Sequence, residues 1–303
     1  MKNWRGIKVA AFVSCVLGIG GAFLVEVAVR ASGITSTVIY DTDKEIGYIP
    51  KGDQDGKFSN KAEWHVNSRN MSCSQEWFPN GEKDLLLVGD SIVWGGNPID
   101  QSEKLGDLLQ GDFPSWKIWP ISAGSWSVEN PQIWMDRNPD ILGEVDALIW
   151  IVNSGDLYTA TQWESELTHP RSMPMWRSWY AYKRYVYPRI FPKKKSPLKQ
   201  LTSDKPILPE VAERWGRRIE KIDKPTLVVF YPNRSELGER SNYEKFVSVS
   251  KRFLPNNAKV FELAGIDGWN ESCYRDEIHP SVSGYRKLEE LISERIRLNG
   301  IAE

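Results

Sequence analysis

The chain contains little cysteine and little histidine for its length. Only three cysteines and three histidines occur among 303 residues, and no Cys-x-x-Cys pair or Cys/His cluster is present. This excludes a disulfide scaffold and a structural zinc site. A charge excess is also missing, since 39 Lys and Arg against 40 Asp and Glu give a net charge of −1. General nucleic-acid binders usually carry a basic excess, so we expect no nucleic-acid partner.

The remaining composition is that of an ordinary globular protein. Hydrophobic residues make up 41% and charged residues 26%, which excludes a disordered, collagen-like or low-complexity chain. The length suits one large domain or two small ones. Fourteen tryptophans are an unusual number. They indicate aromatic packing or a stacking surface, and composition does not separate the two.

The N-terminus contains one long apolar run. Residues 9–25 carry no charge, and Lys2, Arg5 and Lys8 precede them. A membrane-crossing helix needs about 20 apolar residues, which an extension to residue 29 supplies. Cations before a span favour a cytoplasmic N-terminus. We therefore predict a single-pass anchor at residues 9–29, with the rest of the chain periplasmic or extracellular.

Two alternatives to an uncleaved anchor stay open. Val29, Arg30 and Ala31 weakly match a small-x-small cleavage site, as in a signal peptide. A buried core helix at the extreme N-terminus is the less favoured alternative. The apolar run exceeds the usual signal-peptide core of about 7–15 residues, which favours the anchor.

The rest of the chain divides by pattern. Residues 31–83 are polar with little helical period, and we interpret them as an extended lead-in from the membrane. From residue 84 short apolar runs alternate with helical patterns, which predicts an α/β fold with a mostly parallel sheet. The predicted strands are 85–88, 117–122, 147–152, 226–231 and 259–263, and the predicted helices are 101–111, 127–138, 240–254 and 281–297.

Ser91 is the candidate nucleophile. It lies in Gly89-Asp90-Ser91, directly after a wholly apolar strand. In parallel sheets, active groups gather beyond the carboxyl ends of the strands. The tripeptide alone is weak evidence for a catalytic serine, because these residues also form ordinary turns.

A base and its orienting acid are predicted in one loop. A nucleophilic serine needs a histidine base, which needs a carboxylate partner. Among the three histidines, only His279 has an aspartate three residues earlier, Asp276, and a helix start beside it. The alternative is an Asp/His turn that merely caps the last helix.

Oxyanion donors are predicted after two further strands. Gly124 follows the second strand and Asn153 follows the third. The backbone N–H groups of Ser91 and Gly124 and the Asn153 amide would together stabilise a tetrahedral oxyanion. The alternatives are a loop glycine and a turn asparagine.

These four blocks together resemble the SGNH hydrolases, the GDSL esterase/lipase superfamily. The resemblance covers residues 84–157 and 225–303 and implies a flavodoxin-like three-layer α/β/α fold. It also implies a Ser/His/Asp site that uses no metal and no cofactor. The sequence departs from the usual family pattern at two positions, and both concern the substrate pocket. Ala123 stands where an asparagine usually precedes the glycine of the second block, and the acid that usually follows the asparagine of the third block is displaced from residue 154 to Asp156.

The lead-in is similar to that of bacterial membrane-anchored SGNH proteins. The similar motifs are Glu26-Val27-Ala28-Val29-Arg30, Glu45-Ile46-Gly47-Tyr48-Ile49-Pro50 and Asn67-Ser68-Arg69. Many such proteins are associated with envelope or secreted polysaccharide. We therefore expect a serine esterase or O-acyltransferase acting on an acylated carbohydrate or another ester. The alternative is a non-catalytic glycan-binding protein that retains the fold.

A disulfide between Cys73 and Cys273 is predicted, because these are the only cysteines outside the membrane segment and an exported body favours oxidation. The similar fold also implies that their regions lie near one another. Two unrelated buried thiols are the equally weighted alternative.

The insert at about 158–215 separates the third and fourth strands. Residues 171–199 hold nine Lys or Arg and no Asp or Glu, interleaved with Trp and Tyr. We expect contact with an anionic glycan or with the membrane surface, and we favour the membrane because of Lys193, Lys194 and Lys195. The alternative is an aromatic helical cap with solvated cations.

Overall fold

The structure, a computed structural model, describes residues 3–78, 83–191 and 206–301. The strands are β1 (Tyr40–Asp43), β2 (Gly47–Pro50), β3 (Gln54–Phe58), β4 (Ala62–Val66), β5 (Lys83–Gly89), β6 (Trp116–Ser122), β7 (Ala147–Val152), β8 (Thr226–Phe230) and β9 (Lys259–Glu262). The helices are α1 (Asn3–Ala31), α2 (Ser91–Trp94), α3 (Leu105–Asp112), α4 (Glu129–Arg137), α5 (Pro139–Glu144), α6 (Arg177–Ala181), α7 (Tyr187–Ile190), α8 (Pro209–Ile222), α9 (Ser241–Phe253) and α10 (Val282–Leu298).

A five-stranded sheet forms the centre of the fold. Its order is β6-β5-β7-β8-β9, and every neighbouring pair is parallel. Strands β7 and β8 are buried along their whole length, because helices cover both faces of the sheet. The predicted α/β fold with a mostly parallel sheet is confirmed. The chain turns from β6 back across β5 to β7, so β5 and β7 flank the switch point where such folds place ligands.

Two helical layers enclose this sheet. Leu86 and Val88 of β5 face a core shared with buried residues of α4, α8 and α9. Leu85 and Leu87 face the other core, shared with α3 and α10. The alternation follows from the two-residue period of a strand. The result is a three-layer α/β/α sandwich with the flavodoxin strand order.

The lead-in contains two hairpins, which were not predicted from the sequence. Strands β1 and β2 form one antiparallel hairpin, and β3 and β4 form a second. In the first turn the Asp43 carboxylate accepts the N–H groups of Glu45 and Ile46, both at 2.8 Å. Tyr48 and Trp64 are buried in the same core as the sheet. The segment therefore folds against the body, while the division of the chain at residues 30 and 83 stays a prediction.

The insert contains an interrupted helix and the start of a core helix. Helix α6, one π turn (Tyr182–Val186) and α7 follow one another without a break from residue 177 to residue 190. Helix α8 begins within the predicted insert, and its Trp215 packs edge-on against Trp150 with ring centroids 5.6 Å apart. The core thus resumes before residue 215. The predicted cationic cluster at 193–195 lies outside the described residues.

Helix α1 confirms the helix expected at the N-terminus. Within Ile7–Ala31, a stretch of 18 residues has a mean hydropathy of 2.2, and the segment is long and apolar enough to cross a membrane. At 1.5 Å per residue it spans about 37 Å, compared with about 30 Å of bilayer hydrocarbon. A signal sequence satisfies the same length and composition.

Candidate active site

Ser91 lies on a tight turn between β5 and α2. Gly89 packs closely against α2, and a Cβ added there would lie 2.5 Å from Cγ2 of Val93. The Asp90 side chain accepts the Ile92 N–H at 2.9 Å and so caps α2. Burial raises the pKa of Asp90, against the opposing effects of the Ile92 N–H and the neighbouring His279. Sequence and turn together place Ser91 at the carboxyl edge of the sheet.

The structure brings Ser91, His279 and Asp276 into one hydrogen-bonded line. His279 Nε2 lies 2.9 Å from Ser91 Oγ, and His279 Nδ1 lies 2.9 Å from both carboxylate oxygens of Asp276. Asp276 also accepts the N–H groups of Ile278 and His279, at 3.0 and 2.8 Å. With Nδ1–H donating to the carboxylate, Nε2 is left to accept the proton of the Ser91 hydroxyl.

Asp276 is held as a carboxylate. Its partial burial opposes ionisation, but the hydrogen bond and the charge of His279 outweigh that effect. The two backbone N–H groups act in the same direction, so the pKa of Asp276 falls well below its usual range. The ionised form is the one that orients an imidazole and stabilises it when it becomes protonated.

The loop that carries Asp276 and His279 is braced by backbone hydrogen bonds. Arg275 N–H donates to the His279 carbonyl at 2.9 Å, and Ser281 N–H donates to the Cys273 carbonyl at 2.8 Å. The Tyr231 hydroxyl donates to the Ile278 carbonyl at 2.6 Å. Ser281 also caps α10, as the sequence predicted, because its Oγ accepts the Gly284 N–H at 3.1 Å.

The predicted disulfide between Cys73 and Cys273 is wrong in this structure. All three cysteines lie in the described part of the chain, and each is free. Cys73 belongs to the core on one face of the sheet, whereas Cys273 belongs to the core on the other face. The sheet therefore separates the two thiols, and hydrogen bonds brace the loop that carries Asp276 and His279 instead.

Gly124 and Asn153 line the same cavity as Ser91. One Asn153 amide N–H donates to Asp90 at 3.1 Å, which leaves the second for another acceptor. Its Oδ1 accepts the Gly155 N–H at 2.8 Å. The displaced acid, Asp156, accepts the backbone N–H of Asn153 at 2.8 Å. The departure from the family pattern thus keeps a carboxylate in contact with Asn153.

Sequence reasoning missed two residues that hold the Gly124 peptide. The Tyr48 hydroxyl donates to the Gly124 carbonyl at 2.6 Å, and His169 Nε2 lies 3.2 Å from the same oxygen. Burial lowers the pKa of His169 to about 4, so the ring is neutral near neutral pH. Its Nδ1 lies 3.1 Å from the Thr168 hydroxyl. Only the scarcity of histidine in the chain could have drawn attention to His169.

The cavity above Ser91 has a volume of about 460 Å³. This is within the range of about 300–1,000 Å³ that is usual for small-molecule sites. Its walls come from the sheet edge, both hairpins and the insert. The aromatic and cationic residues that line it are Tyr40, Phe58, Trp94, Trp126, Arg184, Tyr185 and Arg275. Among the described residues no cluster of three or more His, Cys, Asp or Glu is placed to hold a metal ion.

Comparisons with known proteins found similarity only among solved structures. No family model matches the sequence, and no curated protein matches it. A lipase/acylhydrolase from Enterococcus faecalis is 14% identical, with 73% of this chain and 97% of that chain covered and a TM-score of 0.48.

Two further similar structures have comparable coverage. An alpha/beta hydrolase enzyme from the metagenome of Lake Arreo, Spain, is 14% identical, with 75% and 98% covered and a TM-score of 0.46. An acetylxylan esterase from Geobacillus stearothermophilus is 15% identical, with 74% and 96% covered and a TM-score of 0.42. The functional argument therefore depends on the geometry of the site.

Proposed function

We propose that this protein is an SGNH-type serine acyl-ester hydrolase or O-acyltransferase that a membrane helix anchors. The observation that carries the proposal is the line from Ser91 Oγ through His279 to Asp276, which opens on a cavity of ligand size. Nucleophile, base and orienting acid within hydrogen-bond reach are the signature of nucleophilic acyl transfer.

In the first half-reaction Ser91 Oγ attacks the ester carbonyl carbon while its proton passes to His279 Nε2. The carbonyl oxygen becomes an oxyanion, which the N–H groups of Ser91 and Gly124 and the Asn153 amide are proposed to stabilise. When the intermediate collapses, the carbon–oxygen bond to the leaving alcohol breaks. His279 returns its proton to that alcohol, and the acyl group remains on Ser91.

In the second half-reaction an acceptor removes the acyl group from Ser91. His279 takes the acceptor's proton while the acceptor oxygen bonds to the acyl carbon. The bond between the acyl carbon and Ser91 Oγ then breaks, and His279 returns the proton to Ser91 Oγ. Water as acceptor gives hydrolysis, and a sugar hydroxyl gives O-acyl transfer. The same residues serve both outcomes, and the access of water to the cavity decides between them.

We propose O-acetyl groups of an envelope or exported polysaccharide as the substrate. Helix α1 supports this, because an anchor with a cytoplasmic N-terminus exports the body and its cavity. The several aromatic rings of the cavity are also suited to a small acyl group on a sugar ring. A cleaved signal peptide in place of the anchor would export the same body.

A fluorophosphonate probe tests the nucleophile directly in the full-length protein. We expect covalent labelling of the wild type and none of Ser91→Ala, while Ser125→Ala, at a second serine of the cavity, retains labelling. We also expect Ser91→Ala and His279→Ala each to lower acetyl-ester turnover by at least about 10³-fold, because nucleophile and base act as a unit. Normal turnover by a folded Ser91→Ala protein contradicts the mechanism.

The competing proposal is a non-catalytic glycan-binding protein. It predicts that the wild type binds acetylated glycan without releasing acetate and stays unlabelled. The continuous hydrogen-bonded line of Ser91, His279 and Asp276 favours the enzyme, because binding alone requires no proton relay.

A further inference from the structure

The helical run at 177–190 and the residues next to it carry large apolar side chains that nothing in the described structure covers. Trp176 is 65% exposed, Trp179 59% and Ile190 57%, and Val186 and Phe191 are also exposed. We call these five residues the outer face. Single exposed apolar side chains are ordinary, but several large ones on one short helical segment mark an interaction surface.

The start of this run is fastened to α1. The Glu26 carboxylate accepts the backbone N–H groups of Arg177 and Ser178, at 3.0 and 2.8 Å. It also pairs with Arg30 at 2.7 Å, and Arg30 donates to the Met175 carbonyl at 2.5 Å. One acidic side chain of α1 thus caps the first turn of the run, and Glu26 itself is buried by these contacts.

This attachment determines the depth of the outer face. If the apolar part of α1 crosses the bilayer, the charged pair at its C-terminal end, Glu26 and Arg30, lies at the outer boundary. The run begins at that pair, so Trp176 and Trp179 lie at headgroup level. Tryptophan is enriched at that level, where an apolar ring can also reach water.

The charge of the segment fits an anionic membrane surface. Residues 171–191 contain five Lys or Arg and no Asp or Glu, although the whole chain is nearly neutral. Lys183 Nζ lies 5.0 Å from the ring centroid of Trp179 and 5.3 Å from that of Tyr187. Aromatic and cationic groups on the same helical face are typical of helices that lie in a membrane interface.

We propose that the helical run at 177–190 is an interfacial helix, and that the outer face is buried among the headgroups of an anionic bilayer, the same bilayer that α1 crosses. This inference rests on the proposed anchor but not on the proposed chemistry. The same run carries Arg184 and Tyr185, which line the cavity above Ser91. The run therefore contributes both to the wall of the cavity and to the proposed lipid contact.

Site-directed spin labelling of the full-length protein tests this placement. Nitroxides are attached to Trp179→Cys or Ile190→Cys in a Cys15→Ala background and reconstituted into discs of phosphatidylglycerol and phosphatidylcholine. Cys73 and Cys273 are buried, and burial raises the pKa of the Cys73 thiol to about 12, so they react little. The matched control is Leu298→Cys, at a residue 67% exposed at the end of α10.

The measurement is the rate at which each nitroxide collides with two reagents. Oxygen concentrates in lipid, whereas a nickel complex stays in water. We expect the oxygen-to-nickel ratio at positions 179 and 190 to exceed that at position 298 several-fold. Ratios at both positions equal to that of the control overturn the proposal. Two positions, each checked for a wild-type melting temperature, guard against a variant that fails to fold.

A label at Val16→Cys, within α1, separates this inference from the anchor on which it rests. Lipid exposure at position 16 with water exposure at 179 and 190 overturns the interfacial helix alone. Water exposure at all three positions overturns the anchor as well. Neither result bears on fluorophosphonate labelling of Ser91, which tests the proposed chemistry separately.

Discussion

At the scale of single residues, Asn153 connects the turn beneath Ser91 to the proposed oxyanion site. One amide hydrogen is bound to Asp90, and the other is available to substrate. We expect Asn153→Ala to lower kcat by about 10²–10³-fold, the usual cost of losing one oxyanion donor. Steady-state kinetics on a small acetyl ester measure the effect. An unchanged kcat in a protein with normal thermal stability would remove Asn153 from the oxyanion site.

His169 is expected to act through the Gly124 peptide rather than on substrate. His169→Phe deletes a donor to the Gly124 carbonyl, whereas His169→Gln retains an N–H of similar reach. We expect the Phe variant to lose more kcat than the Gln variant, with little change in KM, because a positioning residue alters the transition state more than binding. Equal losses in the two variants would contradict this role.

His169 also makes stability depend on pH. Its pKa is about 4 in the folded protein, below the value of 6.5 for a free histidine, so protons bind preferentially to the unfolded chain between these values. The stability contribution is complete above about pH 6.5 and is lost as the pH falls towards about 4. It amounts to at most about 3 kcal/mol. Urea unfolding at several pH values should show that the free energy of unfolding falls less steeply with decreasing pH in His169→Gln than in the wild type.

The sequence predicted the site residues that stand in local motifs and missed those that act across the fold. Ser91 follows an apolar strand, and Asp276 and His279 are three residues apart, so short patterns find them. Tyr48 and His169 reach Gly124 from segments 76 and 45 residues away. Periodicity and spacing carry no record of such contacts, because tertiary packing creates them.

At the scale of elements, the contact between α10 and the loop that carries His279 depends on Gly284. A Cβ added there would lie 1.9 Å from the Cys273 carbonyl oxygen, and backbone cannot yield as a side-chain end can. We expect Gly284→Ala to destabilise the protein by about 1–3 kcal/mol and to lower kcat, since the same loop carries His279.

The matched control for this change is Gly111→Ala in α3, where an added Cβ meets nothing within 4 Å. It should be neutral or stabilise by about 0.5–1 kcal/mol, because alanine restricts the unfolded chain. Urea unfolding and kcat are measured for both variants. Equal effects of the two substitutions would show that α10 does not hold the loop.

The accuracy of the sequence prediction also differed among elements. All five strands of the sheet were predicted. For β5, β7 and β8 the signal was a short and almost wholly apolar run, which is typical of a strand covered on both faces. Strand β3, Gln-Asp-Gly-Lys-Phe, was missed because only one of its five residues is hydrophobic and it pairs outside the central sheet. The disulfide prediction failed because proximity of segments does not reveal which face of the sheet each cysteine occupies.

At the scale of the whole molecule, the structure predicts that reducing agents do not change the thermal stability of the protein. The three cysteines are free, and Cys73 and Cys273 are buried on opposite sides of the sheet. We expect three titratable thiols in denatured full-length protein purified without reductant. The melting temperature should be the same with and without reductant. A thiol count of one would restore the bridge between Cys73 and Cys273.

The strand order also has a consequence for biosynthesis. Strand β5 is made first and lies inside the sheet, β6 joins one side of it, and β7, β8 and β9 then join the other side in order of translation. Each new strand thus pairs with a strand that has already been synthesised, so the sheet can grow while the chain emerges from the ribosome. Ser91 and His279 are 188 residues apart, however. Under the proposed mechanism, the nascent protein therefore carries Ser91 without its base until residue 279 has been made, so a shorter product has no proton acceptor for the serine.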